Sequence, residues 1–545
     1  MMKDTAHRSN THGLDEKSLG HICHMVNLAN QIPGDWSDMG PYDPTQEGDD
    51  AYRYQLAYMV YALGLAQYHR TPAYRELYRD TMAKLIEKMM RWEVWGYWEL
   101  ASRGSKVIDP DLTELVEGWI DPVLRQNIMY SGHLLMMVSL YEMLYQDGRY
   151  AAEGALTFQF RPVLRGLGPA DFPYDHGKLA QAIFNEFERN QFIGCECEPN
   201  GIFVNCNQFP LLGFMHYDHM HGTDFAARTM PKFREQWRRR STLFSSDHEA
   251  DLPVFYRVRQ GDMVYEDSQA NNESINATSW GSVMHAWEKD YVEMVYPVGR
   301  DRTLRRMPDG SLGVQMAGYH QKHKDYQRNP GHHSVDPMML GVHLFGTLAL
   351  AAAEVGDEET LTGMLRYADT YMKPTWKNGG LYYPRNDDLG SDAYTTARVG
   401  NALIAGARLC PRDGFWEMYN RAWTKDDLHT PQLCDVAHPD ILVSQADYER
   451  EVACLVMTLK PGLENVGPHT FSVCGLDLSQ PLQVEVDDLA SIEINPCDGC
   501  IESGDIRIRV DFSTQKLKLS MELSKERRVI VRSANSTMVQ ARRQY

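Results

Sequence analysis

The stretch 49–70, DDAYRYQLAYMVYALGLAQYHR, carries aromatic and aliphatic residues at the spacing of an α-helix. Tyr54, Tyr58, Tyr61 and Leu65 follow one another at three- and four-residue steps, which places them on one face. The stretch therefore predicts a helix with an aromatic face, and Tyr54 is a candidate to line an interior pocket.

The same spacing recurs as far as about residue 425. Further helical segments follow in successive pairs, many of them joined by short turns with Gly, Pro or Asp. They are 74–95, 125–146, 177–191, 213–222, 337–356, 357–372 and 392–410. We therefore predict a mainly α protein in which helical hairpins wind into a ring, an (α/α)6 toroid or barrel.

The period changes past residue 440. The segments PLQVEVDDLASIEI, DIRIRVDFS and KLKLSMELS alternate apolar and polar residues between turn residues, which predicts a small C-terminal antiparallel β domain. The predicted organisation is a polar N-terminal segment at 1–30, a barrel catalytic domain at 31–430 and a β-rich domain at 431–545. The basic, His-rich stretch 293–334 is interpreted as a long loop or lid.

Length and charge limit the classes of function. A chain of 545 residues is longer than one ordinary hydrophobic core accommodates, so we predict two or three domains. A formal net charge of −19 disfavours a nucleic-acid partner, because phosphate binding needs a dense field of Lys and Arg. The same charge disfavours a site on anionic membrane.

The segment that opens the sequence is polar and shows no secretory signal, so we expect a cytoplasmic protein. The apolar run from Met338 falls short of a membrane span and is interpreted as a buried helix. Ten cysteines would stay reduced in that compartment, which disfavours a disulfide between Cys197 and Cys206.

The densest group of reactive side chains is CECEPNGIFVNCNQF at 195–209, with three cysteines and two glutamates. Its C-x-C-x8-C spacing lacks the paired spacing of structural zinc sites, so we predict no metal there. The C-x-x-C at Cys497 and Cys500 lacks a strand–helix redox context. Phosphate-binding loops and the G-x-S-x-G elbow of serine hydrolases are absent from the sequence.

Proton transfer in an aromatic-lined cavity is the chemistry that these residues favour. Met129 and His133 are four residues apart and share a helix face. A buried Tyr or His on a helix is more often a satisfied core residue than a catalytic one. A thiol pair near a histidine changes that balance, because a thiol can exchange protons with a substrate that offers only a hydroxyl.

Four segments together resemble the linalool dehydratase-isomerase family: QNIMYSGHLLMMVSLYEML, VWGYWE, NQFIGCECEPNGIFVNCNQF and YDHMHGTDFAA. The resemblance covers roughly residues 30–410 and is weaker in its second half. It implies a cofactor-independent α/α-barrel enzyme, in which the type activity dehydrates linalool to myrcene and interconverts linalool with geraniol. It also allows a ring-like homo-oligomer.

The resemblance assigns roles to particular residues of this chain. The paired active-site cysteines of the family fall on Cys197 and Cys206, and its adjacent glutamate falls on Glu198. Its histidine falls on His133 and its pocket methionine on Met129. The remaining matches are Tyr54 on the first barrel helix, Asp35 (with Asp38 as the alternative register), Tyr42 after it, and Asn276 in place of a family tyrosine.

Several departures from the family indicate a different substrate pocket. Asn276 replaces a tyrosine in the family's Y-T-T-x-W pattern. Met90 and Arg91 precede the W-E-V-W-G motif where secreted members carry a disulfide cysteine, which agrees with a reducing compartment. The β domain, the stretch 293–334 and the insert at 160–177 have no counterpart in the family.

The resulting hypothesis is acid–base dehydration, hydration, isomerisation or cyclisation of a small hydrophobic alcohol, allylic or otherwise activated and of terpenoid or related type. Cys206 or Cys197, with His133, would protonate the leaving hydroxyl, and Asp35 and Tyr54 would hold it. The other cysteine or Glu198 would remove the carbon-bound proton. Two alternatives stay open: a carbohydrate-active α/α-barrel enzyme that uses paired carboxylates, and a barrel that binds a small molecule without reaction.

Overall fold

A computed structural model describes residues 13–40, 45–46, 51–166, 168–247, 252–265, 280–314, 344–383, 397–462, 467–487 and 489–534. The predicted pocket residues Tyr42 and Asn276 lie outside the described residues. The chain is mainly helical, with a separate β-sheet region toward its C-terminus.

The helices before residue 250 include most of the predicted segments. They are α1 Glu16–Ala29, α2 Tyr52–His69, α3 Glu76–Met89, α4 Trp92–Trp95, α5 Trp98–Ala101, α6 Ile128–Tyr145, α7 His176–Arg189, α8 Gln208–His221 and α9 Phe225–Arg240. The periodicity of 49–70 is thus confirmed as α2. The segment 74–95 divides into α3 and α4 around Met90 and Arg91.

The helices after residue 280 continue the pattern. They are α10 Gly281–Thr303, α11 Leu344–Val355, α12 Glu358–Tyr371, α13 Ala397–Leu409, α14 Gly414–Asn420 and α15 Lys425–Leu428. Within α10, Glu288 has φ −130° and ψ 47°, so the helix is kinked there.

Two helices, α2 and α6, lie at the centre of the helical part, because nearly every residue of each is buried. Helix α2 contacts α3, α6 and α13; α6 contacts α8; α8 contacts α10; α10 contacts α11; and α11 contacts α13. Two glycines allow α6 and α8 to approach closely. A Cβ on Gly132 would lie 2.8 Å from Cδ of Pro210, and one on Gly213 would lie 2.7 Å from Cγ of Leu135.

Short strands lie between the helices, and longer strands follow them. The first group is β1 Leu156–Phe160, β2 Ala170–Tyr174, β3 Gly201–Phe203, β4 Pro253–Arg257, β5 Asp262–Tyr265, β6 Leu304–Arg306, β7 Leu312–Val314, β8 Thr375–Lys377 and β9 Gly380–Tyr382. Within these, β1 pairs with β2, β6 with β7 and β8 with β9, and β3, β4 and β5 form one sheet.

The C-terminal region confirms the predicted alternation. Its strands are β10 Gln432–Cys434, β11 Ile441–Glu449, β12 Cys454–Pro461, β13 Pro468–Cys474, β14 Leu482–Val486, β15 Ile492–Ile494, β16 Ile501–Ser503, β17 Ile506–Asp511, β18 Lys516–Glu522 and β19 Arg527–Ser533. In the described residues they form two five-stranded antiparallel sheets, ordered β10-β13-β18-β17-β16 and β11-β12-β19-β14-β15.

The β region joins the helical part at the turn between α2 and α3. The amide of Ala73 donates to the carbonyl of Ala446 at 2.9 Å, and the amide of Leu433 donates to the carbonyl of Ala73 at 2.8 Å. Tyr54 lies in the first turn of α2, so roughly 25 Å of helix separates it from this junction, at 1.5 Å per residue. The sheets therefore attach at the end of α2 opposite Tyr54.

Two parts of the sequence analysis need correction. Residues 16–29, taken as part of a polar segment, form α1, in which polar residues such as Ser18, His21 and His24 are buried with the apolar ones. Residues 293–314, taken as loop, form the end of α10 and the β6–β7 hairpin. Buried Val292, just before this stretch, and Val295 and Tyr296 within it follow helical spacing, which Pro297 interrupts. Residues 315–334 lie outside the described part of the chain.

The insert at 160–177 also has a defined structure, since part of it forms the β1–β2 hairpin and the start of α7. Among the described helices, none combines the length and the apolar composition that a membrane span requires.

Candidate active site

The cysteine-rich segment is held by its own backbone and by one asparagine. The side-chain oxygen of Asn207 accepts from the Cys195 amide at 2.7 Å, and its side-chain nitrogen donates to the carbonyls of Cys195 and Phe203 at 3.0 and 2.8 Å. Cys195 is fully buried, and its thiol donates to the carbonyl of Ile183 at 3.6 Å. These contacts give Cys195 a structural role and fix the two ends of the loop.

The loop is also joined to the first turn of α6. The amides of Asn127 and Ile128 donate to the carbonyls of Cys197 and Glu196 at 3.1 and 3.2 Å. Gln126 and Asn127 both have positive φ, 57° and 56°, a conformation that costs energy in residues with a Cβ. The strained turn therefore brings the thiol loop beside the helix that carries Met129 and His133.

The two glutamates beside Cys197 differ in their surroundings. The Glu196 carboxylate accepts from the Asn200 amide at 2.6 Å, which closes the turn before β3. Glu198 interacts electrostatically with Arg53, Tyr97 and Cys197. Only Glu198 of the two thus belongs with the predicted site residues.

Cys197 and Cys206 are reduced neighbours. Both are free cysteines, Cys197 is buried and Cys206 is partly exposed. Burial, the hydrogen bond with Cys206 and the nearby Glu198 raise the pKa of the Cys197 thiol well above its usual range. Cys197 is therefore a protonated thiol at neutral pH.

A buried arginine lies among these groups. The guanidinium of Arg53 is 4.4 Å from the ring centroids of both Tyr54 and Tyr97. It also donates to the sulfur of Met129 at 3.2 Å, and the Tyr54 hydroxyl donates to the same sulfur at 3.2 Å. Arg53 thus connects the first turn of α2 to α6 and to the region of Glu198.

The charge states of Arg53 and Tyr97 follow from this packing. Burial alone would lower the pKa of Arg53, but Tyr54, Tyr97 and Glu198 raise it, so the guanidinium stays cationic. Burial raises the pKa of Tyr97 despite the opposing effect of Arg53, and Glu198 adds to the rise. Tyr97 therefore keeps its proton, and its hydroxyl donates to Oδ1 of Asn127 at 2.6 Å.

His133 is surrounded by aromatic rings. Its Nδ1 shares a hydrogen bond of 2.8 Å with the Tyr61 hydroxyl. Its ring centroid lies 3.8 Å from that of Phe209 and 5.5 Å from that of Tyr54. Tyr58 lies 5.9 Å away, and Trp280 packs 5.2 Å from Phe209. Such faces stabilise positive charge that develops beside them.

The predicted aspartates have other partners. The carboxylate of Asp35 accepts from the Ser37 amide at 2.9 Å, which lowers its pKa, and Lys88 and Lys377 are its charged neighbours. Asp38 pairs with Lys377 at 2.7 Å. The segment that carries them packs on the start of α2, because Trp36 stacks on Tyr52 at 4.4 Å.

The structure thus brings together Cys197, Cys206, Glu198, Met129, Tyr54 and His133, each placed by the contacts above. Sequence reasoning missed Arg53, Tyr97 and Tyr61. Of these residues, Arg53 could most easily have been found from the sequence. It is a charged residue inside an apolar helix, and such a residue is seldom buried unless it interacts with other groups. Tyr97 lies within the recognised VWGYWE motif, whose contribution to the site depends on tertiary contacts.

A protonated thiol at Cys197 with Cys206 beside it, a histidine, a carboxylate and aromatic faces are the components of an acid–base site for a small, largely apolar molecule. The molecule is thus a mainly helical protein with such a site in its helical part and a separate β-sheet region. The chain belongs to the linalool dehydratase/isomerase family, whose model matches residues 53–389. The match ends before the first strand of the β region.

One solved structure that the chain matches is described as a novel alpha-amylase from Clostridium perfringens. The sequences are 9% identical, and the match covers 66% of this chain and 85% of the other at a TM-score of 0.31. A likeness at this level supports no statement about fold or activity.

Proposed function

We propose that this protein is a cofactor-independent dehydratase or isomerase that acts on an allylic or similarly activated alcohol of terpenoid type. The observation that carries the proposal is the hydrogen-bonded thiol pair next to Glu198 and Tyr97. Family membership supports dehydratase or isomerase chemistry and does not favour the carbohydrate alternative. Cytoplasmic location and a homo-oligomer stay predictions.

We also propose that α2, α6, α8, α10, α11 and α13 form the inner ring of an (α/α)6 barrel. The order of their contacts supports this, because it runs through all six helices and returns to α2. Cys197 precedes β3 and Cys206 lies between β3 and α8, while Tyr54 lies on α2 and Met129 and His133 lie on α6. A site between neighbouring inner helices would receive all of these side chains.

The first step of the proposed reaction is cleavage of the carbon–oxygen bond. Cys197 starts as a protonated thiol and, with His133, transfers a proton to the leaving hydroxyl while Tyr54 orients it. Water leaves with the bonding electron pair, and an allylic cation remains. The rings of Tyr54, Tyr58 and Phe209 would stabilise that cation, and the buried surroundings would limit its capture by bulk water.

The second step decides between the products. Removal of a proton from the neighbouring carbon by Cys206 gives the alkene, whereas return of water at the other end of the allylic system gives the isomeric alcohol. Proton return between the base and Cys197 restores the starting state. Positioned acid–base groups of this kind contribute roughly 10²–10⁴ in rate.

Asp35 is left out of these chemical steps. Its carboxylate is engaged by the Ser37 amide, and its charged neighbours are lysines outside the thiol cluster. Its contribution would be to the segment that packs on the start of α2.

The function is tested by incubating the purified full-length protein with linalool, geraniol and a saturated tertiary alcohol of the same carbon skeleton. Gas chromatography with mass spectrometry identifies the products. A product lighter by one water indicates a dehydratase, and a product of equal mass indicates an isomerase. The saturated alcohol should not react, because it cannot form an allylic cation. Equal conversion of the saturated alcohol, or release of a sugar from a glycoside panel instead, would contradict the proposal.

A further inference from the structure

A second group of ionisable side chains lies away from the thiol cluster, where α10 meets the residues before α14. His285 and Glu293 belong to α10, and Asp413 immediately precedes α14. Nε2 of His285 is 3.5 Å from Oε1 of Glu293 and 3.9 Å from Oδ1 of Asp413. One ligand atom from each of the three side chains lies within 4.8 Å of the other two.

A buried carboxylate holds the imidazole of His285 through its Nδ1 atom. Nδ1 of His285 is 2.8 Å from Oε1 of Glu354, and both side chains are fully buried. The Glu354 carboxylate is held in turn by the amides of Phe415 and Trp416 at 2.7 and 3.0 Å. When a carboxylate accepts a hydrogen bond from Nδ1–H, the lone pair of Nε2 is available to bind a metal ion. Histidine ligands in metal sites are oriented in this way.

Nε2 of His285 is directed at the two carboxylates without a hydrogen bond to either. Among the described residues it has no hydrogen-bond partner. Its separations from the Glu293 and Asp413 oxygens exceed ordinary hydrogen-bond lengths. Leaving a buried ring nitrogen without a hydrogen-bond partner is energetically unfavourable. A ligand bound between this nitrogen and the carboxylates would remove that cost.

We propose that His285, Glu293 and Asp413 bind a divalent transition-metal ion of the zinc class. One imidazole nitrogen and two carboxylate oxygens are typical zinc ligands, at about 2.0–2.2 Å from the ion. The Glu293 side chain is 39% exposed, so it can rotate toward a shared centre without disturbing the core. The ion would tie α10 to the segment that begins α14.

Lys289 supplies the positive charge when no ion is bound. Its Nζ lies 2.7 Å from Oδ1 of Asp413 and 3.9 Å from Oε1 of Glu293. Since its side chain is 30% exposed, it can move into solvent when a metal enters. Lys289 is therefore a competitor for the carboxylates, and its removal should strengthen metal binding.

Calorimetric titration of the full-length protein with Zn²⁺ tests the proposal, with Co²⁺ added in parallel to record the visible absorption of a nitrogen- and oxygen-coordinated ion. Both exposed cysteines of the C-x-x-C are replaced in every sample, Cys497→Ser and Cys500→Ser, because thiols bind the same ions. Any weak binding shared by all variants cancels in their comparison.

Glu293→Gln should weaken the site at least about tenfold, because it removes a ligand directly. Lys289→Gln should tighten it, and Asp290→Asn, an exposed carboxylate elsewhere on α10, should leave it unchanged. His285→Gln should abolish the cobalt spectrum, and Glu293→Gln keeps the test valid if that buried variant fails to fold.

Absence of saturable binding would overturn the proposal, and so would binding that Glu293→Gln and Lys289→Gln leave unchanged. In that case His285 would be a structural residue that links Glu354 and Glu293.

Discussion

In the described part of the chain two pairs of cysteines are hydrogen-bonded to each other, and their surroundings differ in charge. Cys197 and Cys206 lie in the helical part beside Glu198, where burial and the neighbouring groups raise the pKa of Cys197. Cys434 and Cys474 lie on the paired strands β10 and β13. There the hydrogen bond from Cys434 lowers the pKa of Cys474, and Lys516 lowers it further.

The residues around the two pairs also differ in kind. Cys434 and Cys474 line a cavity of about 550 Å³ at the seam between the helices and the sheets, together with Arg75, Arg79 and Lys425. The first pair is bordered by aromatic rings and by one buried cation, Arg53. A thiol pair is thus not a catalytic signal by itself, because its neighbours decide whether it holds a proton or gives one up.

The largest expected difference between the pairs is in turnover. Cys206→Ala should reduce conversion of an active allylic alcohol by roughly 10²–10⁴, because it removes one partner of the proton transfer. Cys474→Ala is the matched control and should keep the wild-type rate. Initial rates and circular dichroism of the two variants make the comparison. A folded Cys206→Ala protein with normal turnover would exclude this thiol from the mechanism.

The next largest effect concerns the cation beside each pair. Arg53→Met removes a buried charge that contacts Tyr54 and Tyr97, so turnover should fall and unfolding should become easier by about 1–3 kcal/mol. Lys516→Met removes a partly exposed charge and should change neither property. Rates and urea titrations measure both variants. An equal loss of turnover in both would mean that the β region takes part in the reaction.

Reactivity toward an alkylating reagent should show the opposite order. The thiolate is the reacting form. Because the pKa of Cys474 is lowered, its labelling should begin at lower pH than that of a cysteine with an ordinary thiol pKa. Cys197, whose pKa is raised, should label slowly throughout the neutral range. Peptide mass spectrometry of timed iodoacetamide reactions from pH about 6 to 9 resolves the sites.

Lys516→Met sharpens this test. Loss of the ammonium should move the labelling profile of Cys474 to higher pH and leave that of Cys197 in place. Faster labelling of Cys197 than of Cys474 at neutral pH would contradict the electrostatic account of both pairs.

The smallest effect is expected from Asp35→Asn. The carboxylate accepts from the Ser37 amide, and an asparagine oxygen can accept the same bond, so the stability of the variant should stay close to that of the wild type. Turnover should stay close to that of the wild type. A loss as large as that of Cys206→Ala would return Asp35 to the catalytic group.

Periodicity predicted the helices whose apolar faces are uninterrupted. Helix α2 follows directly from the spacing of Tyr54, Tyr58 and Tyr61, and the strands of the β region follow from their alternation. Helix α1 was missed because buried His21 and His24 make its sequence look polar. The end of α10 was missed because a proline and several charges interrupt its buried face.

Local motifs predicted the site only in part. The spacing of Cys197 and Cys206 and that of Met129 and His133 could be read from short segments. The position of Arg53 between Tyr54 and Tyr97 could not, because it depends on how α2 packs against the turn that follows α4. Asp35 was assigned by register to the family pattern, and its place in the active site stays a prediction.

The central claim, that Cys197 and Cys206 exchange a proton with the substrate, is tested most directly by deuterium. The alkene product of an active alcohol is incubated with enzyme in D₂O and recovered for mass spectrometry, since thiol protons exchange with solvent and the reverse reaction places one on carbon. Wild type and Cys474→Ala should introduce deuterium at one carbon position, and Cys206→Ala should not. Deuterium uptake at the wild-type rate by folded Cys206→Ala would contradict the account.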